Sequence, residues 1–319
     1  MHMSRFFIAL LVGLLLMAAL STYARAQVLV SDYNLARILR YDADGSNPTV
    51  LISPASGGLD QPHRARIGPD GLLYVASAGS DQILRYNADS GAFIDVFAGS
   101  ETGLDYPVDF LFRPDGYLYV SSQSSNAIIR YNATTGALDT GWIAQDASIS
   151  APSGIAFDNA GNLYVSGRFS YNLARFDAAT GTHQLTFGDV PFALGLALLP
   201  DGRLLVASGY GNTVETFANP DSAAPVQSTL VTGLDFPVGI EIDPLTGELL
   251  VANYGDGSIS RHALADGSSL ADFADGGLLS GPNYFTILTT AAVPEPSTTA
   301  ALFGGVTLLA TFLLRRRST

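Results

Sequence analysis

Short runs in which apolar and polar residues alternate recur along this chain, and the runs come in groups. Ala151–Phe176, APSGIAFDNAGNLYVSGRFSYNLARF, shows the unit: a Pro-x-Gly start, an apolar alternation, an Asn-Ala-Gly turn, Leu163-Tyr164-Val165, a polar gap and a closing Arg175-Phe176. Alternation with period two marks half-buried strands, and self-similarity at a fixed period marks a repeat architecture. The closing pair recurs every 45 residues at Arg40-Tyr41, Arg85-Tyr86, Arg130-Tyr131 and Arg175-Phe176. After a contraction of four residues it resumes at Thr216-Phe217 and Arg261-His262. A second slot reads Leu73-Tyr74-Val75, Leu118-Tyr119-Val120, Leu163-Tyr164-Val165, Leu204-Leu205-Val206 and Leu249-Leu250-Val251, each after a turn such as Pro69-Asp70-Gly71 or Pro114-Asp115-Gly116. Proline presets the turn and glycine takes its left-handed position. Four short strands per period with no helical spacing predict the blades of an all-β propeller.

The ends of the repeat region predict how the ring closes. Gln27–Ser31 fits the second strand of a blade, and the missing first strand is Gly281–Ile287. The expectation is therefore six blades over residues 27–290, closed by pairing of the N- and C-terminal strands, which removes open sheet edges. Aligning the six innermost strands sorts their columns. Ala65, Phe110, Ile155, Leu196, Ile240 and Phe285 form one apolar column; Ile67, Phe112, Phe157, Leu198, Ile242 and Ile287 form another. Both are expected between blades. The alternate positions, Arg64, Asp109, Gly154, Gly195, Gly239 and Tyr284, then Arg66, Leu111, Ala156, Ala197, Glu241 and Thr286, face the axis. Four charges stand among small residues there. Arg64 with Asp109 and Arg66 with Glu241 form either two ion pairs or, through the arginines, a grip on a carboxylate or sugar acid.

Charge narrows the partners. No lysine and no cysteine occur, and the full chain carries 16 arginines against 29 acids, a net charge of −13. Such a surface repels nucleic acid and excludes thiolate metal sites.

The two ends have their own patterns. Residues 1–26 combine Arg5, an apolar run and Ala24-Arg25-Ala26, the pattern of a secretory signal peptide cleaved after Ala26 to leave Gln27 first. At the other end Val293-Pro294-Glu295-Pro296-Ser297 precedes the apolar stretch Thr298–Leu314 and then Arg315-Arg316-Arg317. Eight Leu, Val and Phe residues in that stretch contribute roughly −2.5 to −5 kcal/mol of insertion energy, and the basic cluster marks the cytoplasmic side. Residues 291–319 resemble the PEP-CTERM sorting tail of Gram-negative bacteria. That resemblance implies processing by an exosortase-type peptidase near Pro294, Glu295 and Pro296. It also implies an inner-membrane tether through a transmembrane helix before processing, then release to the cell surface or extracellular matrix.

Pro152-Ser153-Gly154-Ile155-Ala156-Phe157, Gly161-Asn162-Leu163-Tyr164-Val165 and Asn172–Phe176 resemble the NHL-repeat and gluconolactonase-like six-bladed propellers. That group holds both enzymes and binding modules, so the resemblance implies a fold and leaves activity open. A metal-dependent lactonase needs carboxylate and Asn ligands at the channel mouth. Asn283, Asn253 and Asp109 are available, but the family's Glu-Gly-Pro has no counterpart among Gln61-Pro62, Tyr106-Pro107, Ala151-Pro152, Phe236-Pro237 and Gly281-Pro282. A streptogramin-lyase-like enzyme needs a histidine base; His63 is the one rim histidine and reads as a surface residue. Asp60, Asp105 and Asp235 hold one rim slot with Ser150 and Ser280, where they accept backbone N–H bonds or, alternatively, ligate Ca²⁺. Asp42-Ala43-Asp44-Gly45 opens like a calcium loop, but Ser53 takes the closing position, so it reads as a turn.

The reading is thus an exported, non-catalytic propeller binding a surface partner, polysaccharide or protein, of which polysaccharide is what the resemblance to the sorting tail implies. Tyr106, Phe236 and Tyr284, expected to be exposed near the channel mouth, either stack on sugars or simply cover loops. The alternative is a metal-dependent lactone hydrolase or streptogramin-lyase-like enzyme at the same mouth.

Overall fold

Six antiparallel sheets stand around one axis, and the first strand of each touches the first strands of the sheets on either side. The computed structural model describes residues 27–275 and 277–288. The leader with Ala26, and the tail with Pro294, Glu295, Pro296, Arg315, Arg316 and Arg317, lie outside the described residues. Among the described residues no helix is long and apolar enough to cross a membrane.

Blade 1 is assembled from both ends of this region: Pro282–Leu288 innermost, then Gln27–Asp32, Arg37–Asp42 and Thr49–Ile52. Val28 faces Ile287, Leu29 faces Thr286 and Val30 faces Phe285 in the antiparallel ladder, as the alignment predicts. The innermost strands of blades 2 to 6 are Pro62–Ile67, Pro107–Phe112, Pro152–Phe157, Ala193–Leu198 and Pro237–Ile242. Blades 2 to 5 have four strands each. Blade 6 has three, which corrects the expected count. Its outer position holds only isolated bridges, Ile259 to Ala274 and His262 to Ser269. The turn leading to it matches those of the four-stranded blades, with Asp266 accepting the Ser268 N–H.

Turn and second strand come as one unit. Asp70 Oδ1 accepts the Leu72 N–H while Oδ2 accepts the Tyr74 hydroxyl at 2.9 Å; Asp115 does the same for Tyr117 and Tyr119. Gly71 and Gly116 close these turns at φ of 78° and 88°. The arginines of the closing pairs work outward, Arg85 onto Asp95 and Arg130 onto Asp139, while Tyr86, Tyr131 and Phe176 beside them are buried.

Six apolar clusters fill the six seams between blades. The first predicted column is their inner edge, with Phe110 wholly buried and Leu196 the most accessible at 4%. Truncating a buried phenylalanine of this kind to alanine costs about 3–5 kcal/mol. The second column packs against the same clusters at Phe112, Phe157, Leu198, Ile242 and Ile287, but less deeply than expected. Ile67 is exposed and the other five are half-buried, because they end the strand where the sheets meet solvent.

Blades 2 to 6 begin with a residue held at positive φ: Gln61, Tyr106, Ala151, Phe192 and Phe236, all between 47° and 60°. Non-glycine residues adopt this region at a cost that surrounding contacts must offset. Three offsets come from the preceding blade. The N–H of Tyr106 donates to Asp81 Oδ1 at 2.8 Å, that of Ala151 to Asn126 Oδ1 at 2.7 Å, and that of Phe236 to Asn212 Oδ1 at 3.0 Å. These ties fix the backbone from which Tyr106 and Phe236 reach one mouth of the channel.

Candidate functional site

The innermost strands of blades 2 to 6 are bulged near their start. The register shifts between Pro62 and Ala65, Pro107 and Phe110, Pro152 and Ile155, Ala193 and Leu196, and Pro237 and Ile240. A bulge re-aims side chains that strict alternation sends to opposite faces. Consequently His63, Val108, Ser153, Leu194, Val238 and Asn283, one from each blade, all line a cavity of about 150 Å³ at the channel mouth. The layer of Arg64, Asp109 and Tyr284 follows directly along the strands.

His63 is the polar centre of this cavity, and it is not the surface residue expected. It is 5% exposed, and neither ring nitrogen has a hydrogen-bond partner. Its ring lies edge-on to Tyr33 and Tyr106, at 5.3 and 5.5 Å, and 6.1 Å from Tyr284. Burial, reinforced by the Arg168 charge, lowers the imidazole to about 3, so it is neutral at neutral pH. Asn283, 4% exposed, leaves its Oδ1 unpartnered beside the same space. The Tyr33 and Tyr106 hydroxyls bond each other at 2.7 Å across the mouth.

An aromatic belt continues outward from this centre. Tyr33 meets Tyr254, Tyr254 meets Phe236, and Phe236 meets Phe192, with ring centroids 5.4 to 6.1 Å apart. Tyr210 stacks on Phe192 at 4.2 Å, and Tyr171 and Phe169 extend the belt. Phe169 and Tyr210 are 60% and 59% exposed, and Tyr171 is also exposed. Arg168 lies over the Phe192 ring at 4.3 Å and donates to Gln123 Oε1 at 3.1 Å. Of the aromatics the sequence offered, Tyr106 and Phe236 line this mouth, half-buried. Tyr284 does not present a face; it is wholly buried between His63 and the Arg64 guanidinium, which lies 4.3 Å over its ring. The sequence reading missed Phe169, Tyr171 and Tyr210, although Arg168-Phe169 and Gly209-Tyr210 occupy one repeat position, just after the second strand.

The axial charges form one network where two separate pairs were expected. Arg64 Nε bonds Asp109 Oδ1 at 2.8 Å, and Nη1 bonds both Glu241 Oε2 at 2.9 Å and the Phe285 carbonyl at 3.0 Å. Arg66 reaches Glu241 only at 4.0 Å. Burial pulls the Arg64 pKa down, but the Asp109 and Glu241 charges outweigh it, so the guanidinium stays charged. Its donors are committed within the protein, and it does not stand beside Arg66 as a free anion grip.

The remaining candidates are dispersed. Asp109 lies beneath Arg64, and Asn253 donates to Ser258 and Ser260 away from the cavity, so neither joins Asn283. At the rim slot the backbone does the bonding: the carbonyls of Asp60, Asp105 and Asp235 accept N–H groups from Gly79, Ser124 and Gly255. Among the described residues no three His, Asp or Glu side chains gather closely enough to hold a metal ion, and Asp60, Asp105 and Asp235 are not brought together.

Against known families, a profile described as a repeat of unknown function, DUF6923, matches residues 23–187. The chain belongs to that family. No curated protein matches the sequence. Among solved structures, this DUF6923 protein is similar to a chain of a nidogen/laminin complex, at TM-score 0.69 and 15% identity, covering 83% of this chain and 98% of that one. It is also similar to a catalytically inactive virginiamycin B lyase from Staphylococcus aureus with quinupristin, at TM-score 0.59 and 16% identity, covering 82% and 88%. A functionally unknown protein from Desulfotomaculum acetoxidans DSM 771 gives TM-score 0.57 at 14% identity, covering 82% and 85%. At these identities the DUF6923 chain shares a fold with them.

Proposed function

We propose that the protein is an exported, non-catalytic binding propeller whose aromatic mouth holds a polysaccharide of the cell surface or matrix. One observation carries this reading: a continuous aromatic belt, from buried His63 to exposed Tyr210 and Phe169, surrounds a cavity with unpartnered polar atoms. Flat rings supply faces for sugar C–H groups, and His63 and Asn283 supply polar atoms for hydroxyls. This division of labour, apolar walls with a few fixed polar groups, is typical of small-ligand sites. Export and sorting would follow from the leader ending at Ala26 and from the Pro294-Glu295-Pro296 tail, through an exosortase-type peptidase.

His63 weighs against the hydrolase or lyase alternative. A general base works best with a pKa near the operating pH, and an imidazole held near 3 is a poor proton acceptor at neutrality. Calorimetry of the purified protein against a polysaccharide panel, with and without Ca²⁺, tests the proposal. Tyr210→Ala is expected to weaken glycan binding about tenfold, the loss of roughly 1–2 kcal/mol typical of an aromatic anchor. Turnover of a lactone or a streptogramin, or binding untouched by Tyr210→Ala, would overturn it.

A further inference from the structure

Arg168 stands apart from every other described arginine. The other ten each lie within ion-pair distance of a carboxylate or bond a backbone carbonyl: Arg37, Arg64, Arg66, Arg85, Arg113, Arg130 and Arg203 pair with acids. Arg40, Arg175 and Arg261 bond carbonyls. Arg168 bonds only the neutral amide oxygen of Gln123. In a chain with 29 acids and 16 arginines, a cation without a carboxylate is the opposite of what the charge count favours. It is also the one charged side chain among the residues lining the mouth cavity, whose other polar groups, His63, Gln123, Ser153, Asn283 and the tyrosines, are neutral.

The side chain is held in place for use. Its guanidinium carbon lies 4.3 Å from the Phe192 ring centroid and 5.3 Å from that of Phe169, and its buried Nε–H has no partner. A planar guanidinium stacked on rings keeps its orientation and offers a fork of N–H donors that matches a carboxylate.

We propose that Arg168 recognises the carboxylate of a uronic acid, so that the glycan held at this mouth is an acidic one. This deepens the polysaccharide reading and rests on it. The sugar ring would lie on the Tyr210 and Phe236 side of the belt, with its carboxylate on Arg168.

The test compares oligouronates of several sugars and linkages with the same oligomers after chemical reduction of their carboxyl groups to alcohols. Binding to the intact protein is followed by calorimetry, and a reduced oligomer differs from its parent only in charge. The expected result is that one oligouronate binds about tenfold or more tightly than its reduced form. Arg168→Gln should erase that preference while Arg168→Lys retains part of it, with thermal unfolding unchanged. Equal affinity for the acidic and reduced oligomers overturns the role of Arg168 and leaves a neutral-glycan site standing. Failure of the protein to bind any glycan, acidic or neutral, overturns both readings together. The ligand-reduction arm needs no variant, so a misfolded Arg168→Gln does not protect the proposal.

Discussion

Around the axis, the contacts from blade 4 through blades 5 and 6 to blade 1 differ in kind from those joining blades 1, 2 and 3. On the first side the inner strands touch backbone to backbone. A Cβ on Gly154 would lie 2.5 Å from the Leu194 carbonyl, one on Gly195 2.6 Å from that of Val238, and one on Gly239 would meet the Asn283 carbonyl. On the second side the same column carries Tyr284, Arg64 and Asp109, and the gap is filled by a stacked ring and a buried ion network. Six similar repeats thus close a ring in two ways, by removing side chains where strands converge and by inserting charge where they part. The charged side needs balanced partners to be stable at all, because an unpaired buried charge costs several kcal/mol.

Three changes probe this difference, in falling order of effect. Arg64→Met strips Asp109, which is wholly buried, of its main partner, and is expected to destabilise by about 3–5 kcal/mol in urea unfolding. Adding Asp109→Leu should recover most of that loss; no recovery would mean that the network does not act as a unit. Gly195→Val forces a side chain into a backbone contact and is expected to cost about 3 kcal/mol, with loss of cooperative unfolding. The third concerns His63, above the charged side. Its pKa is lowered from 6.5 to about 3 on folding, so the unfolded chain takes up the proton first as pH falls. Its stabilising contribution is complete above about pH 6.5 and is lost toward about pH 3, with a slope of up to about 1.4 kcal/mol per pH unit. Wild type should therefore lose stability relative to His63→Leu as pH falls from about 7 to about 4; parallel curves would place His63 in contact with water.

The ring itself was legible because alternation and turn chemistry repeat in register. The pairing of Gln27–Asp32 with Pro282–Leu288 follows from aligning slots, with no knowledge of distance. The Arg64–Asp109 contact was readable for the same reason, since both fall in one column of neighbouring blades. Glu241 joining Arg64 was not, because reach across the axis depends on how far the inner strands part. The bulges explain the larger misses. They bring His63 and Asn283 into the cavity, where strict alternation places their column between blades, and they leave Tyr284 beneath, buried where an exposed ring was expected. The belt was hidden because its members occupy different repeat slots: Tyr106 and Phe236 before the innermost strand, Arg168, Phe169 and Tyr210 after the second. The missing outer strand of blade 6 was not legible, because Asp266-Gly267-Ser268 reads like Thr135-Gly136-Ala137 and Thr180-Gly181-Thr182, which precede full strands.

Blade 1 also sets a clock. Leu29 and Val30 are among the first described residues, yet Thr286 and Phe285, which complete their ladder, are made some 255 residues later. Until the ribosome has delivered that last strand, the early one has an unsatisfied edge and the seam below it stays wet. Ring closure therefore waits for the last strand of the described region, and Gln27–Asp32, made first among the described strands, keeps an open edge the longest.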